Sequence, residues 1–168
     1  MFVNAHLHSG QDAVEKRNAD LAAAMGRFVH QNIDDEEALS SRIPDLLIFV
    51  GDLNYRVDGF KESIVQAMSA DKYELLLPQD QLFIEQELGN VTNMLKEGKI
   101  EFAPTFKRKQ FDNNAFGMKR NPSWTDRILY HCNTLDTEDR LKLKSYDSNN
   151  LVMLSDHRPV FAQFEYQI

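Results

Sequence analysis

Leu46-Leu47-Ile48-Phe49-Val50 is a run of five apolar residues without a polar interruption, which predicts a strand covered on both faces. Gly51 is expected to break it. The segment that follows, Gly51-Asp52-Leu53-Asn54-Tyr55-Arg56, places polar side chains at the end of an element that fixes their position yet leaves them open to a ligand. Asp52 and Asn54, two residues apart, can point the same way into a cleft, one supplying a base and the other an oriented amide. Standing alone, such a string is more often a plain turn, because Gly, Asp and Asn are turn residues.

A short strand is expected over residues 2–7. Ser9, with Asp12 three residues on, resembles a capping box and opens a helix that runs to about Gln31. In it Val14, Leu21, Met25 and Phe28 form the buried stripe, and Glu15, Lys16, Arg17 and Asp20 the solvated side. Helical spacing recurs over 60–68 and 79–88, with Pro78 as punctuation. From Phe102 onward loops and strands take over, with strands expected over 127–131 and 141–146. Val160, Ala162, Phe164 and Tyr166 then alternate with Gln163, Glu165 and Gln167, the pattern of a half-buried strand. The order is that of an α/β chain with its helices in the first half. With 168 residues, 42% hydrophobic and 27% charged, residues 1–168 are read as one compact unit.

The net charge of −7 disfavours a polyanion such as DNA. Against that average, residues 105–127 carry Lys107, Arg108, Lys109, Lys119, Arg120 and Arg127 with only Asp112 and Asp126. On position alone this is a solvated surface loop. Cys132 is the only cysteine, so no internal disulfide forms, as a reducing cytosol would permit. Zinc templates, calcium loops and P-loops are missing from the sequence, whereas scattered Asp and Asn side chains suit an oxygen-loving ion such as Mg²⁺. No apolar stretch approaches the roughly 20 residues of a membrane span, and residues 1–4 lack a signal-peptide pattern. A cytoplasmic protein, at most peripheral at membranes, is expected.

Two further polar segments border apolar ones. Ser155-Asp156-His157-Arg158-Pro159 sets a carboxylate beside an imidazole, a pair suited to phosphate chemistry, although the plainer reading is a hydrogen-bonded lead-in stiffened by Pro159. In Trp124-Thr125-Asp126-Arg127-Ile128-Leu129 the tryptophan reads as core. Asp126, against an apolar strand, needs a partner, and His157 is the candidate. His6, at the end of the first strand, is a further imidazole that faces either a ligand or the interior. His8, His30 and His131 read as structural or exposed.

Taken in order, Val3-Asn4-Ala5-His6-Leu7, Gly51-Asp52-Leu53-Asn54-Tyr55-Arg56, Pro104-Thr105-Phe106-Lys107, Trp124-Thr125-Asp126-Arg127-Ile128-Leu129 and Ser155-Asp156-His157-Arg158-Pro159 resemble the successive signatures of inositol polyphosphate 5-phosphatases. The resemblance implies the endonuclease/exonuclease/phosphatase fold, a four-layer α-β-β-α sandwich with the active site at one end. It implies Mg²⁺-dependent removal of the 5-phosphate from phosphoinositide headgroups or soluble inositol polyphosphates, at a membrane surface visited transiently. By analogy Asp52 is the general base for water, and Asn54 orients that water or a phosphate oxygen. Asp126 holds His157, and His157 and His6 donate to the phosphoryl oxygens, stabilising charge that builds in the transition state. Asp156 assists the metal or its water shell. Lys107 and Arg120 match positions that grip a neighbouring ring phosphate, and Arg108, Lys109 and Lys119 add positive potential.

Three departures from the family pattern stand out. Phe106 replaces a common tyrosine, and Met118 stands where some members carry a lysine, with Lys119 adjacent. The family's opening strands, with an Asn and the principal metal-ligating Glu, would precede the first motif. The expectation is therefore a sandwich incomplete at its N-terminus and an isolated chain of low activity. The rival readings are a non-catalytic remnant that binds inositol phosphates or a protein through the basic loop, and a nuclease of the same fold, which the negative charge opposes.

Overall fold

The structure is a computed structural model and describes residues 1–29, 44–91, 94–112, 115–117, 119–132 and 140–167. His30, Met118 and the expected helix end near residue 31 lie outside these. Strand β1 (Phe2–His6) is followed by helix α1 (Val14–Val29), strand β2 (Leu46–Asp52) and helix α2 (Lys61–Ser69). Two single 3₁₀ turns, Tyr73–Leu75 and Leu77–Gln79, lead into helix α3 (Gln81–Glu87). Strands β3 (Lys96–Glu97), β4 (Asp126–Cys132), β5 (Leu141–Ser148) and β6 (Val160–Tyr166) complete the order. One sheet runs β1-β2-β4-β3, and β5 and β6 form a separate antiparallel pair.

β2 is central and hydrogen-bonded on both sides, parallel to β1 and antiparallel to β4. Its apolar run is buried on both faces because the two faces meet different layers. Leu47 and Phe49 join Leu21 and Met25 of α1, Leu82 of α3 and Leu129 of β4 in the main core. On the opposite face the β5–β6 pair packs against β4: Tyr146 Oη accepts from Ile128 N at 3.3 Å, and the Tyr130 and Phe164 rings meet edge to face at 5.1 Å. Helices, a first sheet and a second sheet are thus stacked as layers of the expected sandwich. A second core, with Val57, Ile64, Leu76, Phe102 and a fully buried Trp124, closes the end beside α2. The indole Nε1 donates to Phe102 O at 2.9 Å.

Three local expectations are corrected. Gly51 does not end β2: it pairs with Ala5 on one side and Arg127 on the other. With φ of +140°, it sits where a Cβ would lie 2.0 Å from Ala5 O, so glycine lets the strand continue through a close approach. Helix α1 starts at Val14, after the Ser9 cap position, and Arg17 is buried instead of solvated. Its guanidinium donates to His8 O, Gly10 O and Gln11 O and to Gln81 Oε1, which ties down the turn ahead of the helix. Finally, the basic stretch is not one solvated loop, since Arg108 and Arg127 are buried. Arg127 is 2% exposed. It bridges Asp80 at 2.8 Å and Glu97 at 2.5 Å, while Tyr146 Oη donates to Glu97 at 2.8 Å. Asp80 also caps α3 by accepting from Phe83 N.

The Gly51 geometry sets a stability test. Gly51→Ala should cost on the order of 3 kcal/mol through backbone strain and the clash with Ala5, a fall of roughly 6–12 °C in Tm for a chain of this size. Thermal unfolding followed by circular dichroism reads it, and an unchanged Tm would show that the close approach is not a constraint.

Candidate active site

The register of the central strands builds the site. His6 pairs with Asp52 across β1 and β2, and Asp52 pairs with Asp126 across β2 and β4. Directly opposed residues project from the same sheet face, so the three form one lateral row. His6, 75% exposed, brings Nε2 to 3.5 Å from Asp52 Oδ2. His157, ahead of β6, completes the group: Nδ1 lies 2.9 Å from Asp126 Oδ2 and 3.1 Å from Oδ1. A carboxylate only accepts, so Nδ1 carries the proton and Nε2 is left for a ligand. Ligand atoms of Asp52, Asp126 and His157 all fall within 4.8 Å of one another.

Two threonines hold this arrangement, and the sequence reading gave neither a role. Thr105 Oγ1 donates to Asp126 Oδ2 at 2.7 Å and Thr125 Oγ1 to the same oxygen at 3.1 Å. Both hydroxyls are buried, and both stand inside the recognised motifs, next to Phe106 and Asp126. Asn54 is buried at φ of +56°. Its backbone N–H donates to Asp52 Oδ1 at 3.0 Å, its Nδ2 to Leu7 O at 3.0 Å, and its Oδ1 accepts from Arg56. The amide thus braces Asp52 and the turn after β1, with one N–H left over.

Phe106 is the hub between the acidic group and the cations. Its ring lies 4.7 Å from the His157 ring and 4.6 Å from the Arg56 guanidinium, with Lys107 Nζ at 5.8 Å and the Arg120 guanidinium at 6.0 Å. The missing tyrosine hydroxyl leaves this stacking role intact. Arg56, Lys119 and Arg120 line a pocket of about 440 Å³ with Gly10, Gln11 and Asn121. Arg56 was part of a motif but had no role assigned, because nothing in the spacing tells a stacked arginine from a solvated one. Lys107 instead turns to Asp156, with Nζ 3.0 Å from Oδ2. Asp156 therefore faces a cation and lies outside the Asp52, Asp126 and His157 group. A larger cavity of about 950 Å³ lies elsewhere, lined by Tyr73, Phe102, Arg108 and Phe116 and by none of the clustered acid or imidazole groups.

The electrostatics separate the titrating groups. Burial raises the Asp52 carboxyl above its ordinary value, and the neighbouring charge of Asp126 pushes it further. Burial pulls the His157 imidazole down, but the hydrogen bond and charge of Asp126, with Asp52 and Asp156, reverse this and hold it above its usual range. The Lys107 hydrogen bond keeps Asp156 below the usual carboxylate range. The arrangement sets a partly buried carboxylate with raised proton affinity beside an imidazole whose protonated form is favoured and a flanking basic pocket, a combination able to meet a phosphorylated ligand.

Comparison with known proteins decides the family. Residues 1–163 match the model of endonuclease/exonuclease/phosphatase family 2. The chain belongs to this family. Among relatives, a Rattus norvegicus phosphatidylinositol 3,4,5-trisphosphate 5-phosphatase 1 is 37% identical over 179 residues, covering 98% of this chain and 14% of the relative. The inositol polyphosphate 5-phosphatase domain of SPsynaptojanin, solved with inositol (1,4)-bisphosphate and calcium, superposes with a TM-score of 0.78 at 29% identity. That match covers 98% of this chain and 46% of the other. A Cimex nitrophorin, solved as its ferrous NO complex, has a TM-score of 0.66 at 31% identity over 74% of this chain and 42% of its own. The chain therefore spans less than half of each of these relatives, and the family fold carries more than one chemistry.

The Asp126–His157 pair gives a direct titration test. A raised folded value means that protonated His157 adds stability, complete below the unfolded value of about 6.5 and lost as pH rises through the higher folded one. NMR titration of His157 should show the raised midpoint, and Asp126→Asn should bring it down toward the ordinary imidazole range. A midpoint indifferent to Asp126→Asn would mean that the carboxylate does not set the charge of the ring.

Proposed function

We propose that the protein hydrolyses the 5-phosphate of phosphoinositides or inositol polyphosphates in a Mg²⁺-dependent reaction. The observation that carries this reading is the convergence of the His6, Asp52 and Asp126 row with His157, beside the Arg56, Lys119 and Arg120 pocket. It is supported by the likeness to proteins named as 5-phosphatases.

In this reading Asp52 takes a proton from the attacking water, and its raised affinity for protons suits that task near neutral pH. Asn54 fixes the Asp52 carboxylate through its backbone N–H and offers its remaining side-chain N–H to water or phosphate. Asp126 orients His157, whose Nε2, with His6, donates to the phosphoryl oxygens as charge builds there. Lys119 and Arg120 grip a second ring phosphate, and Lys107 is within reach once it leaves Asp156. The donor set fits a hard divalent cation. Both Asp126 oxygens already take donors, so Asp52 has spare lone pairs next to a like charge that a cation would relieve, while Asp156 is held by Lys107. Bound Mg²⁺ would supply Lewis-acid stabilisation of the phosphoryl oxygens. The site would act on headgroups at a membrane surface from the cytoplasmic side.

The pocket lined by Arg56, Lys119 and Arg120 equally suits a second reading, a non-catalytic protein that binds inositol phosphates there. One experiment separates the two: Mg²⁺-dependent phosphate release from a 4,5-bisphosphorylated inositol headgroup by the full-length protein and its Asp52→Asn variant. The variant should lose about 10²- to 10⁴-fold in rate. It should melt no lower than wild type, because a carboxylate raised by folding costs stability once the pH exceeds its folded value. Equal rates would remove Asp52 as the base, and headgroup binding without turnover would leave the binding protein.

A further inference from the structure

Gln81, the first residue of α3, is buried, yet every hydrogen-bonding position of its side-chain amide is used. Oε1 accepts from Arg17 Nη2 at 2.5 Å and from Arg56 N at 2.9 Å, and Nε2 donates to Gln11 O at 3.0 Å and to Asp58 Oδ1 at 2.9 Å. Two donors and two lone pairs are all that an amide has. The backbone adds a further bond, from Gln81 N to Arg56 O at 2.8 Å, so one residue grips Arg56 at both its N–H and its carbonyl. A glutamate here would turn lone pairs toward the Asp58 carboxylate and the Gln11 carbonyl. An apolar residue would leave the Arg56 N–H unpaired in the interior.

Two of these partners are walls of the basic pocket. Gln11, on the turn ahead of α1, and Arg56, on the segment after β2, line it, and Lys119, Arg120 and Asn121 form the third side. Gln81 joins the first two walls directly. The third is joined through Val57 O, which accepts from Gln11 Nε2 and from Asn121 Nδ2, both at 3.1 Å. Gln11 Nε2 also donates to Asp58 Oδ1 at 2.7 Å, so one carboxylate oxygen gathers the amides of Gln11 and Gln81. Neither Gln81 nor Asp58 lines the pocket itself. The acidic row is held differently, by the ladder of β1, β2 and β4 and by the two threonines. Pocket and row thus rest on largely separate supports, with Arg56 reaching from one to the other through Asn54.

We propose that Gln81, together with Asp58, is the positioning residue of the phosphate pocket: it sets the spacing of Gln11, Arg56 and the 119–121 wall, and through that spacing the affinity for a second phosphate on the ring. It does so without touching the ligand and without setting the rate of the chemical step. Charge-assisted hydrogen bonds to phosphate depend on where the cationic groups are held, and a misplacement of about 1 Å forfeits much of their strength. The inference rests on the proposed function for its ligand, a ring that carries two phosphates.

The test measures kcat and KM of the full-length protein, well below its melting temperature, for a soluble inositol headgroup phosphorylated at positions 4 and 5 and for one phosphorylated at position 5 alone. Gln81→Leu keeps the backbone bond and removes those of the amide. Its KM for the bisphosphate should rise about 10-fold or more with kcat within about twofold, while its KM for the monophosphate stays in place. Asp58→Ala should shift KM the same way by about threefold, and Asp58→Asn, which keeps an accepting oxygen, should restore the wild-type value. Charge alone predicts otherwise, since losing a carboxylate near the cations would favour an anion in both Asp58 variants. A purely structural role would lower the melting temperature and, with the folded fraction, kcat, leaving KM and the preference for the second phosphate as they were. That result would overturn the proposal, as would a KM that rises equally for both headgroups. If Gln81→Leu does not fold, the two Asp58 variants decide. If no form releases phosphate but calorimetry shows bisphosphate binding weakened by Gln81→Leu, the positioning role stands and the phosphatase reading falls. Phosphate release with a KM indifferent to all three substitutions does the reverse.

Discussion

The site depends on the register of β2 between its two neighbours. A strand hydrogen-bonded on both sides cannot slide against one partner without breaking the ladder to the other, and a slip of one residue would send every side chain to the opposite face. That fixed register sets His6, Asp52 and Asp126 in one row. It also explains why Gly51 comes just before the row. β1 approaches so closely there that any side chain would enter the carbonyl of Ala5, and the approach is what brings His6 within 3.5 Å of Asp52.

Around this rigid centre, long irregular segments are held by buried arginines. Arg17 gathers the carbonyls ahead of α1, Arg158 those of Ser155 and Lys109, and Arg56 braces Asn54. Arg127 is compensated by two carboxylates, so its charge stays buried without being alone. Burial depresses a cation, and here Asp80 and Glu97 more than offset it. Removing one partner from such a group is far more disruptive than never having had it, so the network acts as a clamp between β3, β4 and the start of α3. Five N–H donors in a fixed fork let one residue do what a helix or sheet does elsewhere, which is to satisfy backbone acceptors that water cannot reach.

This is also where sequence reasoning reached its limit. Elements with a regular period were legible: the continuous run of β2 and the alternation of β6 announce how many of their faces are covered, and the structure has both. The buried arginines were not legible, because an arginine in a loop has the same sequence signature whether its fork meets water or carbonyls. Arg17 fell on the polar side of a helical wheel and Arg127 in a basic cluster, and tertiary contacts decided both. The same holds for the site. Short motifs named Asp52, Asp126 and His157, but only the strand register shows that the first two are cross-strand neighbours. Thr105 and Thr125 were silent because a hydroxyl has no period and no charge.

The acidic pair shows why the supporting structure is built so heavily. Two carboxylates side by side in a partly buried site repel, and burial adds to the cost of ionising them. Left to itself, such a pair would protonate or separate. Here Asp126 is fixed by two hydroxyls and an imidazole, while Asp52 is fixed by the turn at Asn54 and the ladder behind it. The repulsion therefore remains in the folded state as an attraction for protons and cations, offset by the cores on either side. An arrangement that opposes stability and is nonetheless held by hydroxyls, an imidazole, a turn and a strand ladder is one whose geometry serves a ligand.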